Sequence, residues 1–528
     1  LRALLEDTAT TSYFVNTPTG LAATSGGTIH PVGTEPIGKI YPIVAMVPPG
    51  RPEDLGDSSF CRDHQLRFPY VAGSMANGVA STRLVESLCN IGALAFFGAA
   101  GLSLPRIEQS IQQLRERLGT RPFGCNLIFR PGAPDGEAGV VDICLRNCLS
   151  LVEASAYVDV TLPLVRYRLH GIHRDERGQI VAPNRVIAKV SRVEVATKFL
   201  SPPPSEILRQ LVRNGDLTEA EAQLASQVPV AQDVTAEADS GGHTDNRPAI
   251  ALLPTLCALR DRLQRQYQFD CPLRIGLGGG IATPASAAAA FAMGAAYVLT
   301  GSINQACVES GTSDSVRQML ATAEQADISM APAADLFETG GKVQVLKRGT
   351  MFAMRAAKLY EIYRKHPSLE AISASDRQQL EGTIFRTSLE TIWAETQKFF
   401  VQADPSQIER AQSDPKHKMA LVFRWYLGLS SRWAITGDPV RQLDYQVWCG
   451  PAMGAFNEWV KGSPLEQPTE RRAASVALNL LHGASYLLRL QTLRAQGVVL
   501  PAELWQIRPR DPTAWEAELL PTTNAATN

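Results

Sequence analysis

The chain has 528 residues, 45% hydrophobic and 20% charged, with 51 Lys and Arg against 52 Asp and Glu. That is the composition of a globular protein of two or three domains, and a net charge of -1 gives no reason to expect nucleic acid or an anionic membrane as a partner. No apolar run reaches the ~20 residues of a membrane helix, residues 1–20 lack the apolar stretch of a targeting peptide, and nine scattered Cys, an odd count, suit a reducing cytoplasm better than a disulfide framework.

Residues 1–65 are rich in Gly, Pro, Thr and Ser and contain the turn Pro48-Pro49-Gly50. They are expected to form an N-terminal extension with one or two strands, one of them over 40–47. From residue 66, short apolar runs alternate with capped helices. The run 68–72 reads as a strand; Ser81 caps the helix after it and Gly92 ends that helix. The strand 93–97 follows, then a helix with Ser103 before it, Pro105 in its first turn and Gly119 at its end, then the strand 123–129. Residues 141–154 read as a helix and 158–162 as the fourth strand. The runs 186–190, 230–236, 273–277 and 296–300 complete eight. Capping boxes are expected at Ser191/Glu194 and Thr218/Glu221, a helix over 250–266, and an Ala-rich helix opened by Thr283-Pro284 and closed by Gly294. Eight βα units over roughly 250 residues predict an α/β fold, a (β/α)8 barrel over 66–330. Beyond 330 long helical patterns dominate. All seven Trp lie beyond residue 390 and eight of the nine Cys before it, which predicts an additional, mostly α-helical domain over 331–520, with caps at Ser375 and Asp404. Cys144, Cys148, His170 and His173 lack the CxxC knuckle of a zinc site; both Cys read as small core residues on one helix face, and no metal is expected.

The sharpest chemical feature is Gly276-Leu277-Gly278-Gly279-Gly280, directly after a strand and before a helix. Residues without side chains let main-chain N–H groups close on an anion, and a helix N-terminus adds its positive end. The run is not a dinucleotide fingerprint, whose third Gly would fall at Ile281, and no Gly-Lys-Ser/Thr follows to make a Walker loop. The next strand ends in Thr300-Gly301-Ser302, and (β/α)8 barrels commonly hold phosphate in the loops after strands 7 and 8. A phosphate is therefore expected there. Asp239-Ser240-Gly241-Gly242-His243 follows the sixth strand: the two Gly admit a flat ring, and His243 is a candidate proton donor or carbonyl ligand. Ala72-Gly73-Ser74-Met75 ends the first strand with small residues that suit a backbone packed on a ring. Asn126, amid an apolar strand, needs a polar partner if buried. Lys189 in the fifth strand needs an anionic one, for which Glu237 is the candidate.

These segments resemble a known family. Phe68-Pro69-Tyr70-Val71-Ala72-Gly73-Ser74-Met75-Ala76-Asn77-Gly78, residues 122–129, the Gly-Gly-His loop and the Gly278 to Gly280 turn are together similar to the nitronate monooxygenase (2-nitropropane dioxygenase-like) FMN barrels, a fold shared by flavin enoyl reductases. The likeness is closer to the PfaD family, enoyl reductases acting in trans with polyunsaturated fatty acid and polyketide synthases. It runs from about residue 40 to about 495 and is carried by Gly56-Asp57-Ser58-Ser59-Phe60-Cys61 and by 237–246, 341–349 and 445–457. The resemblance implies FMN, its phosphate held by the backbone of Gly278, Gly279 and Gly280 and by Gly301 and Ser302. It sets Ala72, Gly73, Ser74, Met75 and Asn126 against the flavin, with Lys189, Glu237, Gly241 and Gly242 completing the cofactor site. His243 becomes the catalytic acid/base, NADPH (or NADH) the hydride donor and an acyl carrier protein the partner; a homodimer is allowed for, and nucleic acid and membrane are not expected. The turn Trp448-Cys449-Gly450-Pro451 is expected to help cover the barrel mouth and form the carrier-docking surface. Simple nitronate oxidases usually carry Glu-Ala-Gly-Gly-His in the sixth-strand loop, preceded by a Gln. Here Asp239 and Ser240 replace the Glu and Ala, and Ala236 stands in place of the Gln. A nitronate-consuming oxidase and a non-catalytic synthase component are the alternative readings.

Overall fold

The computed structural model of the chain describes residues 1–31, 33, 38–129 and 134–511. Strands β1 (Ser12–Thr17), β2 (Gly20–Thr24) and β3 (Ile43–Val47) form an antiparallel sheet in the order β2-β1-β3, one strand more than expected. Its inner residues Phe14, Ala45 and Val47 pack with Leu5 onto Tyr486, Leu490 and Leu493 of the helix Ala473–Ala495.

The closed barrel begins with β4 (Tyr70–Ala72), β5 (Leu94–Phe97), β6 (Gly124–Ile128) and β7 (Leu151–Ser155). Past a ribbon of β8 (His173–Arg174) and β9 (Ile180–Val181) it continues with β10 (Arg185–Val190) and β11 (Asp233–Glu237). Past the two-residue β12 (Gly242–His243) it ends with β13 (Arg274–Gly278) and β14 (Val298–Thr300). Every pairing in it is parallel, and β14 closes onto β4. The fold class is the expected (β/α)8 barrel with additional helices C-terminal to it. The local signals act as read at several helix starts: Ser81 Oγ accepts from Leu84 N, and Thr218 with Glu221 forms the full box. The box at Ser191 does not form, because the Ser191 hydroxyl donates to Asp245 Oδ2 at 2.6 Å. The cap expected at Ser375 sits two residues earlier, at Ser373.

The fourth strand needs correction. Residues 158–162 are not a strand; the helix Pro134–Arg146 stops early and 151–155 supply β7. The apolar pattern runs on through the break with no Gly or Pro to mark it. Cys148 makes the turn instead, in the left-handed region at φ 48°, and Leu149 N returns to Cys144 O at 2.8 Å. Only Cys144 is core; Cys148 is exposed.

The amino ends of the strands are closed by a buried ion network. Arg274 Nε lies 2.6 Å from Asp233 Oδ1, its Nη1 lies 2.7 Å from Asp63 Oδ2, and His64 Nε2 lies 2.8 Å from Asp233 Oδ2. Removing one partner of such a set strands the other charges in a poor solvent, so Asp233→Ala is expected to cost about 3–5 kcal/mol of stability, read as a lowered denaturation midpoint. The guanidinium of Arg274 and the ring of His64 outweigh burial and hold the Asp233 carboxyl far below the carboxylate range. A depressed folded-state pKa means this stabilisation is complete above the ordinary carboxylate value, about 4, and is lost only as pH falls below it.

After the barrel, β15 (Ile328–Pro332) and β16 (Lys342–Leu346) form a hairpin whose second strand also pairs with β12, in the order β12-β16-β15. The helices Phe352–Lys365 and Pro415–Thr436 gather around a second core that includes Phe337, Phe352, Phe385, Phe423 and Tyr426. The helix Ala473–Ala495 then returns to the barrel wall against Pro284–Ala292 and Thr82–Asn90. A Cβ on Gly483 would come within 2.6 Å of the Pro284 ring, which is how closely the two helices approach. The helices around the second core thus lie, in chain order, between the eighth barrel strand and a helix on the barrel wall.

Candidate active site

A cavity opens where the barrel strands end. Gly73, Ser74 and Met75 reach it after β4, Asn126 from β6, Lys189 from β10 and Glu237 from the end of β11. Gly241, Gly242 and His243 line it from the next loop, Gly278, Gly279 and Gly280 from the end of β13, and Gly301 and Ser302 after β14. Ala72 does not reach it: its side chain is buried in the barrel core.

The corner between β13 and β14 is built from main chain. Gly279 and Gly280 have φ of 86° and 77°, a region that side chains disfavour. A Cβ on Gly279 would lie 2.7 Å from the Ala238 carbonyl carbon, whereas at Gly280 and Gly301 nothing stands within 4 Å. Those two positions therefore leave room beside the backbone. Among the described residues, the N–H groups of Gly280, Gly301 and Ser302 have no hydrogen-bond acceptor in the protein, while that of Gly279 continues the β13–β14 ladder toward Leu299 O. Unpaired main-chain donors gathered at one corner are an arrangement that an anion satisfies. The start of the helix Pro284–Ala292 is already capped: Ser286 Oγ accepts from Ala282 N and Thr283 N at 3.0 Å each. The donors left for an anion are those of the loops.

Across the cavity lies a charged group only half legible in the sequence. Lys189 Nζ is 3.6 Å from Glu237 Oε1, the expected partner, and equally 3.6 Å from Glu153 Oε2. Glu153 lies in β7, fully buried, and accepts from both the backbone N–H of Ser74 (2.9 Å) and the Ser74 hydroxyl. Its other oxygen has no partner among the described residues. Burial pushes the Glu153 carboxyl up against the pull of Lys189. Burial alone would lower Lys189, but the two carboxylates hold its ammonium above the usual lysine range. Glu153 was missed because its segment read as helix; a lone Glu amid Leu151, Val152 and Ala154 was the available signal. Asn126 has its polar partner, donating to Ser155 Oγ at 3.0 Å.

The remaining wall comes from beyond the barrel. Gln344 of β16 donates to Asp239 Oδ1 (2.7 Å) and Ser240 O (2.8 Å), so the hairpin grips two of the three residues that depart from the simple-oxidase pattern. A Cβ on Gly241 would fall 2.8 Å from the Cys449 backbone, and Gly450 N donates to Ser302 Oγ at 3.1 Å. Trp448, Gly450 and Ala452 line the cavity beside them. His243 is about one-third exposed, with Nε2 3.1 Å from Asp335 Oδ2. Gln344 and Asp335 carry no local sequence signal that ties them to this loop.

Fold and site together define a (β/α)8 barrel with an anion-type corner and a titratable wall at its active face. The nitronate monooxygenase family model matches residues 59–359, and the model of the [acyl-carrier-protein] S-malonyltransferase inserted helical domain matches 366–445. The chain is 45% identical over 448 residues to a polyunsaturated fatty acid synthase subunit of Thraustochytrium sp., covering 84% of this chain and 30% of that protein. It is 44% identical over 444 residues to the polyketide biosynthesis protein PksE of Bacillus subtilis, covering 84% of this chain and 58% of that one. The chain thus spans only part of the length of either relative. The crystal structure of the enoyl reductase domain of MlnA, from the macrolactin biosynthesis cluster of Bacillus amyloliquefaciens, aligns at a TM-score of 0.80 and 40% identity, over 83% of this chain and 99% of that domain. The chain belongs to the nitronate monooxygenase family, and within it resembles the PfaD-like enoyl reductases. No helix among the described residues is long and apolar enough to cross a membrane.

Proposed function

We propose that the chain is an FMN-dependent enoyl reductase that acts in trans on α,β-unsaturated thioesters carried by the acyl carrier protein of a polyketide or polyunsaturated fatty acid synthase, with NADPH (or NADH) as hydride donor. The observation that carries the reading is the corner of unpaired amides after β13 and β14, next to a wall that holds a protonatable His243. The names of the relatives support the substrate class. Bound FMN would supply hydride transfer to this site.

The chain's own residues then have distinct tasks. The N–H groups of Gly280, Gly301 and Ser302 hold the phosphate. Gly242, whose ideal Cβ meets nothing nearer than the Trp448 ring at 3.9 Å, leaves the flat ring a close approach, while the missing side chains of Gly73 and Gly241 make room for Leu299 and the Cys449 backbone; Asn126 and Lys189 offer the ring's polar edge donors. His243 hydrogen-bonds the thioester carbonyl or gives the proton that the α-carbon gains while the β-carbon gains hydride. Trp448 and Gly450 narrow the mouth and limit water.

The test is the visible spectrum. The purified protein should be yellow, bleach with NADPH under anaerobic conditions and regain colour on adding a crotonyl thioester. Recovery only with oxygen and a nitronate would favour the oxidase that the family match also admits. A colourless protein that takes up no FMN would sink both enzymes in favour of a non-catalytic synthase component.

A further inference from the structure

His243 meets a carboxylate that no part of the barrel supplies. In the pairing of β12 with β16, Val343 stands opposite His243 and Gln344 opposite Gly242. In the pairing of β15 with β16, Ala331 stands opposite Val343 and Pro332 opposite Lys342. The turn between β15 and β16 is tied by Ala333 N to Gly341 O (2.9 Å) and by Gly341 N to Leu336 O (3.0 Å). Asp335 sits in this turn. The register, with the grip of Gln344 on Asp239 and Ser240, sets its carboxylate against the imidazole, Oδ2 to Nε2 at 3.1 Å.

We propose that Asp335 is a positioning residue for the double-bond reduction: it engages Nε2 of His243, orients the ring and stabilises the imidazolium, leaving Nδ1 as the nitrogen that donates the proton. The proposal rests on the enoyl reductase reading above. In the step, the bond between Nδ1 and its proton breaks and a C–H bond forms at the α-carbon. The β-carbon takes hydride derived from NADPH, and the neutral ring regains a proton from solvent. A carboxylate on the far nitrogen favours the charged ring before transfer and fixes its direction during it.

The surrounding charges agree in sign. Burial by itself would lower the imidazolium, but Asp335, then Glu237 from β11, raise it above its ordinary value, with Lys189 from β10 opposing them. The Asp335 carboxyl, more than half exposed, is held below its own ordinary value against partial desolvation, chiefly by His243, with Arg424 of the helix Pro415–Thr436 adding to the effect. A raised histidine keeps the acid form to higher pH, so turnover should be flat at low pH and fall as pH rises through the titration of His243.

The experiment compares Asp335→Asn and Asp335→Glu with the unaltered holoprotein by ring-carbon NMR of histidine-labelled samples, with the His243 signal assigned by its loss in His243→Gln. Asp335→Asn should lower the His243 titration midpoint by about one pH unit and move the alkaline limb of kcat for a crotonyl thioester down by the same amount; Asp335→Glu should restore both. A midpoint that stays in place in Asp335→Asn, or one that moves while the kcat profile does not, overturns the proposal and leaves the enoyl reductase reading standing. Full turnover by His243→Gln overturns the proposal as well. A holoprotein that reduces no enoyl thioester at any pH removes the reductase reading itself and the proposal with it.

Discussion

Gly301→Asp is expected to give a folded protein that no longer holds flavin. Gly301 has φ -129° and ψ -74°, outside the positive-φ region that penalises side chains, and nothing stands within 4 Å of its ideal Cβ. It caps the short helix Ser302–Gln305, a position where Asp is among the favoured residues. Nothing in the packing around Gly301 blocks a side chain. A carboxylate there would face the phosphate and could take the free amides for itself. Two unit charges about 4 Å apart at an effective dielectric near 20 repel by about 4 kcal/mol, roughly a thousand-fold in affinity. Absorbance after gel filtration measures the loss, and an unchanged melting curve shows that it is not unfolding. Gly301→Asp with stoichiometric flavin would remove the phosphate from this corner. Gly279 is the poorer place for the test, since any side chain there collides with the Ala238 and Asp239 backbone.

Replacing His243 by Ala should separate two halves of turnover. The β12–β16 pairing uses backbone only, so the wall keeps its shape without the imidazole. Loss of a positioned acid typically costs 10²–10⁴-fold. Double-bond reduction should fall by about that factor, while bleaching by NADPH stays near the unaltered rate. Stopped-flow absorbance reads both steps on one sample. Equal slowing of both would mean that His243 shapes the cofactor site rather than donating the proton.

The features that could be read from the chain alone are those whose causes lie within a few residues. Short apolar runs bounded by Ser81, Gly92 or Thr283 announce barrel strands because parallel strands are buried on both faces and their helices need caps. Gly279 and Gly280 announce a turn because positive φ is a local demand, and Gly301 follows from its place one strand later. Lys189 in an apolar run implied an anion, and Glu237 answered. Local signals failed where a longer-range contact competed with them. Ser191 abandoned its box because Asp245 offered a better acceptor. The fourth strand was lost because Cys148, not Gly, turns the chain between two apolar segments, and Glu153 was lost with it.

By itself, the amino-acid sequence determined the barrel, its glycine corner and a histidine at its mouth, since patterning, caps and turn chemistry are written in neighbouring residues. Tertiary structure alone decided that Glu153 shares Lys189, that Gln344 grips the sixth-strand loop and that Asp335 meets His243. Those partners lie far apart in the chain, and what brings them together is strand register and the packing of a hairpin against the barrel rim, neither of which has a local signature.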